Sequence, residues 1–252
     1  MRAAFTMWSD PNAKGERNME FTIQNIAENI WAIEQKGVRA FLLIGQNNAI
    51  LVDTCFGGDI LSVCQSITNN PITLITTHSD PDHIGCDQQF PTQYLHSAEF
   101  VRYESRGKGT LHAVPMQEGD VFQAGDYRLE VILIPGHTPG SIALLERTHR
   151  FLISGDTVQS GCIFMHGEGR DLPQFRESIA KLEQMRLEGL FDTVFPSHGE
   201  AVVAADILED HLALADAVLN GTAVPAGPAP YWFPDTVKTY RHGRAQMYYA
   251  YN

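Results

Sequence analysis

The stretch Thr76–Cys86, TTHSDPDHIGC, places four side chains that can bind a metal within the six positions from His78 to His83; the other two are Asp80 and Asp82. It continues an apolar, β-branched run, ITLITTH, which predicts a short buried strand that ends at His78. In α/β proteins, binding sites form at the carboxyl ends of such strands. The stretch therefore predicts a metal site at one edge of a sheet.

Three further strand-like segments also end in a metal-capable residue. YRLEVILIPGH delivers His137, RFLISGD delivers Asp156, and DTVFPSHGE delivers His198. Taken singly, each residue could be a solvated or turn-capping side chain. Because all of them lie in Gly-, Pro- or Ser-rich loops at strand ends, we expect them to converge on one site.

The composition limits the classes of function. The chain has 252 residues, 44% of them hydrophobic, and a formal net charge of -12. This acidity argues against a nucleic-acid partner, because phosphate contacts need clustered Lys and Arg. No apolar run approaches the roughly 20 residues that span a bilayer, and the N-terminus has no apolar signal-peptide region. We therefore expect a cytoplasmic protein with a small-molecule substrate and no membrane partner, and the sequence leaves a homodimer open. The four cysteines form no C-x-x-C pair and are expected as reduced thiols.

The remaining patterns predict one α/β domain over residues 19–252, preceded by a polar lead-in at residues 1–18. Apolar alternation predicts early strands in EFTIQNI, NIWAIEQ, VRAFLLIG and NNAILVDT, and a last strand in AQMYYAY. Helical spacing appears in DILSVCQSI, SAEFVRYES, LPQFRESIAKLEQMRL and ADILEDHLALADAVLNG. No linker or low-complexity tract divides the chain.

The motifs HSDPDH, PGHTPGS, SGD and PSHGE, in this order and preceded by ILVDT, resemble the metallo-β-lactamase superfamily of metal-dependent hydrolases. The resemblance covers roughly Phe21 to Ala201. It implies a four-layer αββα sandwich, in which two mixed β-sheets are flanked by helices and the site lies at one edge between the sheets. It also implies two metal positions that share one bridging carboxylate.

The resemblance also implies which residues would hold each metal. The first metal would be held by His78, Asp80 and His137, the second by Asp82, His83 and His198, with Asp156 as the bridge. Asp53, in the segment VDT, matches a position that supports the ligands from behind; a cap on the following turn is the alternative interpretation.

Asp80 departs from the common family pattern. The usual motif is H-x-H-x-D-H, and this chain reads H-x-D-x-D-H. Because a carboxylate favours harder cations than an imidazole does, Fe or Mn would compete with Zn at the first position. Contact through water, or a single working metal, are the other interpretations. The oxygen-reducing diiron branch of the superfamily also carries a carboxylate here, a glutamate.

We therefore expect a metallo-hydrolase with two divalent metal ions, in which a metal-bound hydroxide attacks an ester, thioester, lactone or phosphoester. Asp82 would orient the hydroxide and accept a proton. The alternatives are an iron-dependent oxidoreductase on the same fold and a non-catalytic scaffold. Glutathione-thioester hydrolases of the family retain histidine at position 80, so Asp80 counts against that substrate.

Segments that flank the ligands offer candidates for substrate binding. Cys162, Phe164 and His166 follow Asp156, and the aromatic segment near the C-terminus supplies Tyr231 and Trp232. Ordinary packing, or cover for a sheet edge, is the alternative for the aromatic residues. The segment RYESRGKG supplies Arg102, Arg106 and Lys108 as anion-binding candidates, although a solvated basic loop is the favoured interpretation.

Overall fold

The computed structural model of the protein describes residues 20–251, so the lead-in predicted at residues 1–18 lies outside the described residues. Two large sheets lie at the centre of the described part, and both are mixed. This confirms the predicted fold class, because each sheet has helices on its outer face.

The first sheet contains seven strands in sequential order. Its first four strands pair antiparallel, and the pairs from the fourth to the seventh are parallel. The strands are β1 (Thr22–Ala27), β2 (Ile30–Gln35), β3 (Val38–Ile44), β4 (Ala49–Val52), β5 (Ile72–Ile75), β6 (Gln93–His96) and β7 (Ala113–Met116).

The second sheet contains six strands, in the order β14-β13-β11-β10-β9-β8. They are β8 (Val121–Ala124), β9 (Tyr127–Leu133), β10 (Ile142–Glu146), β11 (Phe151–Gly155), β13 (Thr193–Pro196) and β14 (Val203–Ala204). Strands β11 and β13 are parallel, and β9 runs in the same direction because β10 is antiparallel to both β9 and β11. The carboxyl ends of these three strands therefore lie at one edge of the sheet.

Four helices accompany the sheets: α1 (Ile60–Ile67), α2 (Phe100–Ser105), α3 (Leu172–Leu187) and α4 (Ile207–Leu219). Single 3-10 turns occupy Asp87–Gln89, Ser97–Glu99 and Thr110–His112. The predicted helix LPQFRESIAKLEQMRL coincides with α3, whose N-terminus is capped by the Asp171 side chain.

Successive side chains of a strand point to opposite faces of the sheet and so contribute to different layers of the fold. On β3, Phe41 and Leu43 face the core between the two sheets, while Ala40 and Leu42 face the layer that contains α1. The outer face of the second sheet packs on α3 and α4. Both faces of the central strands are buried, which explains why their sequences are continuously apolar.

A third sheet, which the sequence analysis did not predict, packs beside α4. It has four strands in the order β12-β17-β16-β15, namely β12 (Cys162–Phe164), β15 (Pro225–Pro228), β16 (Lys238–His242) and β17 (Ala245–Tyr249). The strand predicted in AQMYYAY is β17. Within residues 20–251, no helix has the length and apolar character that a bilayer crossing needs.

Candidate metal centre

Strand ends of both central sheets bring the candidate ligands together. Asp53 follows β4, and the segment from His78 to His83 follows β5 in the first sheet. His137, Asp156 and His198 follow β9, β11 and β13 in the second sheet. The site therefore lies where the carboxyl ends of strands from the two sheets meet.

Six of the predicted ligands form two groups whose ligand atoms lie within 4.8 Å of one another. One group is His78, His137 and Asp156, and the other is Asp82, His83 and His198. Each group draws on both sheets. No ion is described at either group, so the residues stay predicted ligands whose placement suits the role.

Asp156 lies between the two groups. Its Oδ2 is 3.9 Å from Nε2 of His78 and 3.5 Å from Nε2 of His137. Its Oδ1 is 3.2 Å from Nε2 of His83 and 3.3 Å from Nε2 of His198. One oxygen therefore faces each group, which is the arrangement that a bridging carboxylate needs.

The donor atoms at the centre fit a cation. In the part of the chain that the structure describes, Nε2 of His78, His83 and His137 and Oδ1 of Asp156 are buried without a hydrogen-bond partner. Buried polar atoms without a partner are costly, and cations bound at the two groups would satisfy all four. Imidazole nitrogen and carboxylate oxygen are ligands of zinc, iron and manganese.

The opposite ring nitrogens of His78, His83 and His198 are held from behind, whereas Nδ1 of His137 has no hydrogen-bond partner among the described residues. Nδ1 of His83 lies 2.8 Å from Oδ2 of Asp53, and Nδ1 of His198 lies 2.8 Å from the Gly37 carbonyl. Nδ1 of His78 lies 3.0 Å from the Thr77 hydroxyl, which itself donates to Asp53 at 2.7 Å. Such contacts leave each Nε2 free to face a metal.

Asp53 therefore contacts His83 directly instead of only capping a turn. It also accepts a hydrogen bond of 2.7 Å from the Thr77 backbone amide. Its backbone has a φ of 63°, an uncommon conformation that is least costly for Asp, Asn and Gly.

The electrostatics of the two groups differ. Burial lowers the pKa of His137 to about 4, and the nearby charge of Arg170 acts in the same direction. Burial opposes protonation of His198 too, but the carboxylates of Asp156 and Asp82 outweigh it and raise the pKa of His198 to about 10. Without a cation, a protonated His198 would offset part of the negative charge of Asp82 and Asp156.

Asp80 has a set of partners that the sequence analysis did not foresee. Its Oδ1 accepts hydrogen bonds of 2.8 Å from Arg102 and 2.7 Å from Arg106, and its Oδ2 accepts one from Arg170. The same Oδ2 lies 3.6 Å from Nε2 of His78 and 3.5 Å from Nε2 of His137. Asp80 thus lies beside the first group while it binds three guanidiniums.

The favoured interpretation of RYESRGKG as a solvated basic loop is wrong. Arg102 and Arg106 bind Asp80, and Lys108 donates to Asp87 at 2.7 Å and to the Ile84 carbonyl at 2.9 Å. All three side chains are mostly buried. These cationic side chains pair with buried carboxylates. Because the partners come from separate segments of the chain, no local sequence pattern predicts the pairing.

Two further buried residues fix the ligand loops and were missed. Glu99 accepts hydrogen bonds from the backbone amides of Ser79 and Gly140, which joins the loop of His78 to the loop of His137. Arg39 donates to the carbonyls of Pro196 and Gly199 on either side of His198. The sequence did contain a signal for Arg39, because a charged residue within an otherwise apolar strand usually has a specific partner.

The predicted substrate-binding residues lie around the third sheet. Phe164 packs on Phe233 and Tyr248 with ring centroids 5.4 and 5.0 Å apart, and His166 lies 6.1 Å from Phe233. Tyr231 is 95% exposed, and its ring centroid is 5.1 Å from that of Trp232. These residues form an aromatic cluster, and their contact with a substrate stays a prediction.

The four cysteines are free thiols. Burial raises the pKa of Cys162 to about 12 and that of Cys86 to about 11. Because the thiolate is the nucleophilic form, these thiols are unsuited to covalent catalysis at neutral pH.

Residues 34–208 match the family described as the metallo-beta-lactamase superfamily. The acyl-coenzyme A thioesterase MBLAC2 of Gallus gallus is 30% identical in an alignment 200 residues long that covers 68% of this chain and 72% of that protein. The hydroxyacylglutathione hydrolase of a Synechocystis species is 28% identical over 145 residues, 56% of each chain.

A solved structure shares the fold. The metallo-beta-lactamase from Pontibacter korlensis superposes with a TM-score of 0.67 at 19% identity, over 78% of this chain and 99% of that one. At this identity, the likeness concerns the fold alone.

Proposed function

Because this chain belongs to the metallo-beta-lactamase superfamily and is a metal-dependent hydrolase, we propose that it hydrolyses the thioester bond of a small acylated thiol. Two relatives support the thioester over an ester, lactone or phosphoester. One is named an acyl-coenzyme A thioesterase and the other a hydroxyacylglutathione hydrolase. Their names also favour hydrolysis over the iron-dependent oxidoreductase.

The observation that carries the proposal is the position of Asp156 between Nε2 of His78 and His137 on one side and Nε2 of His83 on the other; within residues 20–251 all three nitrogens are buried without a hydrogen-bond partner. We infer two divalent cations, since one Asp156 oxygen faces each set, and zinc as their identity, since four histidines supply nitrogen ligands. Cations bound there polarise a carbonyl oxygen and lower the pKa of water from about 15.7 to about 7.

The chain itself would position the reactants and move a proton. Oδ2 of Asp82 lies 3.3 Å from Nε2 of His198, and Oδ1 lies farther from its nearest imidazole, 3.8 Å from Nε2 of His83. We assign to Oδ1 the hydrogen bond that orients the attacking water and the acceptance of its proton. Burial raises the pKa of Asp82, but His83 and His198 outweigh burial and lower it, so the carboxylate is ionised at neutral pH.

The test is thiol release from butanoyl-coenzyme A and from butanoyl-N-acetylcysteamine, with protein whose metal content is known from elemental analysis. We expect hydrolysis by the metal-loaded protein and a loss of at least a hundredfold in kcat/KM in the Asp156→Ala variant, because one carboxylate serves both groups. Absence of thiol release at two bound metals per chain would refute the proposal.

A further inference from the structure

We propose that Arg102, Arg106 and Arg170 form an oxyanion-binding subsite beside His78 and His137, which binds a carboxylate or phosphate group of the substrate. The inference rests on the proposed function, whose substrate class it narrows to thioesters that carry a negative charge close to the scissile bond. These three residues are called the arginine subsite below.

The three guanidiniums converge from two distant segments of the chain. Arg102 and Arg106 lie one helical turn apart, at α2 and just after it, and Arg170 precedes α3. All three donate to the Asp80 carboxylate, and Arg102 also donates to the Glu168 carbonyl at 2.7 Å. Gly169 makes this approach possible, because a Cβ at that position would lie 2.5 Å from Nη1 of Arg102.

The nearby carboxylates do not neutralise the cluster. Besides Asp80, the nearest one is Glu99, whose Oε2 is 3.8 Å from Nε of Arg102. The oxygens of Glu99 already accept hydrogen bonds from Ser79 and Gly140. Within the described residues, three guanidiniums therefore form ion pairs with two carboxylates, in a chain whose overall net charge is -12. An anionic ligand would remove this local excess of positive charge.

Many hydrogen-bond donors of the arginine subsite are unused. Each guanidinium carries five N–H donors, whereas the three together make five hydrogen bonds within residues 20–251. Nε of Arg102 is buried and has no hydrogen-bond partner in that range. Planar guanidiniums with free donors match the geometry of carboxylate and phosphate oxygens.

Arg106 is the member that a ligand would reach first. Its side chain is 28% exposed, against 15% for Arg102 and 11% for Arg170. Arg106 shares the Asp80 carboxylate with Arg102 and Arg170, so three like charges lie close together, and an anion bound at Arg106 would offset their repulsion.

The arginine subsite lies next to the first ligand group. Asp80 Oδ2, which binds Arg170, is 3.5 Å from Nε2 of His137. A substrate whose thioester carbonyl lies at the ligand groups would therefore place an anionic substituent a few bonds away at the arginines. A carboxylate on the acyl chain meets this condition directly, whereas a phosphate of coenzyme A, about a dozen bonds from the sulfur, reaches the arginines only if the pantetheine arm folds back.

Three thioester substrates distinguish a carboxylate on the acyl chain from a phosphate on the thiol carrier. Butanoyl-N-acetylcysteamine carries no charge, succinyl-N-acetylcysteamine adds a carboxylate to the acyl chain, and butanoyl-coenzyme A adds phosphates to the thiol. We expect one of the charged substrates to exceed the neutral one at least tenfold in kcat/KM. In Arg106→Gln, we expect that ratio to fall about tenfold, because a charge-assisted hydrogen bond is lost. Arg147→Gln is the matched control, since it removes a 43%-exposed arginine at the far end of β10 and should keep the ratio.

Binding measured without turnover provides the second readout. Calorimetric titration of the metal-loaded protein with succinate and with inorganic phosphate should give a Kd about tenfold weaker in Arg106→Gln than in the unmodified protein for at least one of the two anions. A tenfold change corresponds to about 1.4 kcal/mol.

An unchanged substrate ratio together with unchanged dissociation constants would overturn the arginine subsite even if thioesters are hydrolysed. If none of the three thioesters is hydrolysed, the proposed function fails, and the calorimetric comparison alone decides the arginine subsite.

Discussion

At the residue scale, Asp80 contacts two kinds of partner, the histidines of the first ligand group and the arginines. Its Oδ2 faces His78 and His137, and both of its oxygens accept hydrogen bonds from arginines. A histidine at this position would bring a softer nitrogen ligand but no negative charge. A carboxylate at this position would therefore let iron or manganese compete with zinc at the first group, and it accepts hydrogen bonds from all three arginines of the proposed subsite.

Replacement of Asp80 by histidine tests its role beside the first ligand group. We expect Asp80→His to raise the zinc share at the first position relative to iron and manganese, because imidazole favours zinc. Elemental analysis after exposure to an equimolar mixture of the three metals measures this share. Asp80→Asn is the control, since it loses the same charge beside the guanidiniums without gaining an imidazole. An unchanged metal preference in Asp80→His would contradict the assignment.

Asp53 offers a second test at this scale. It accepts hydrogen bonds from the Thr77 amide and hydroxyl and contacts Nδ1 of His83. In Asp53→Asn, one of these donors would face the amide NH2 group, so we expect zinc affinity to fall roughly 10- to 100-fold. Competition with a chromogenic chelator gives the Kd. Asp59→Asn, at the exposed N-terminus of α1 where Asn caps equally well, should leave the Kd unchanged. Equal affinities in all three proteins would show that Asp53 only shapes the turn.

At the element scale, α4 holds the segment that follows Asp156. Nε2 of His211, on α4, lies 3.0 Å from the Gln159 carbonyl oxygen, and the side chain is fully buried. Burial lowers the pKa of His211 to about 4, whereas an unfolded histidine titrates near 6.5. Between these values the unfolded chain binds more protons, so this residue makes the fold less stable as the pH falls from about 6.5 to 4.

We expect this effect to be visible at pH 5.0. There His211 should cost about 2 kcal/mol of unfolding free energy relative to pH 7.5, by proton linkage. Urea unfolding at both pH values, for the metal-loaded protein and for His211→Gln, measures the difference. The pH-dependent loss should be smaller in the variant by about that amount; equal losses would mean that His211 is protonated without strain in the folded protein.

The elements themselves could largely be read from the sequence, because their apolar periodicity is local. The segment before His78, the helix Leu172–Leu187 and the strand before Asp156 all form as predicted. β12 was missed because it has only three residues, and β15 because it contains Gly and Pro. The placement of Arg170 beside Asp80 was missed for a different reason: ninety positions separate the two residues, and only the packed fold brings them together.

At the scale of the whole molecule, the candidate metal centre joins two sheets that are also held together by apolar packing and by hydrogen bonds such as those from Arg39 to the loop of His198. Each ligand group combines residues that follow β5 with residues that follow strands of the second sheet. Without cations, Asp80, Asp82 and Asp156 remain buried near one another with fewer positive partners. Cations that bind the folded chain alone stabilise it by mass action, by about 2.7 kcal/mol at a free concentration of 100 Kd.

Chelation should therefore lower the unfolding temperature by roughly 5–10 °C for a chain of this size. Differential scanning calorimetry before and after dialysis against a chelator, with metal content measured on the same samples, tests this. In Asp156→Ala the shift should be much smaller, because both ligand groups lose the carboxylate they share. Re-addition of zinc should restore the original unfolding temperature in the unmodified protein. An unfolding temperature that stays constant while the metal is demonstrably lost would mean that the two sheets hold together without the ligand groups, and the centre would then serve the chemistry alone.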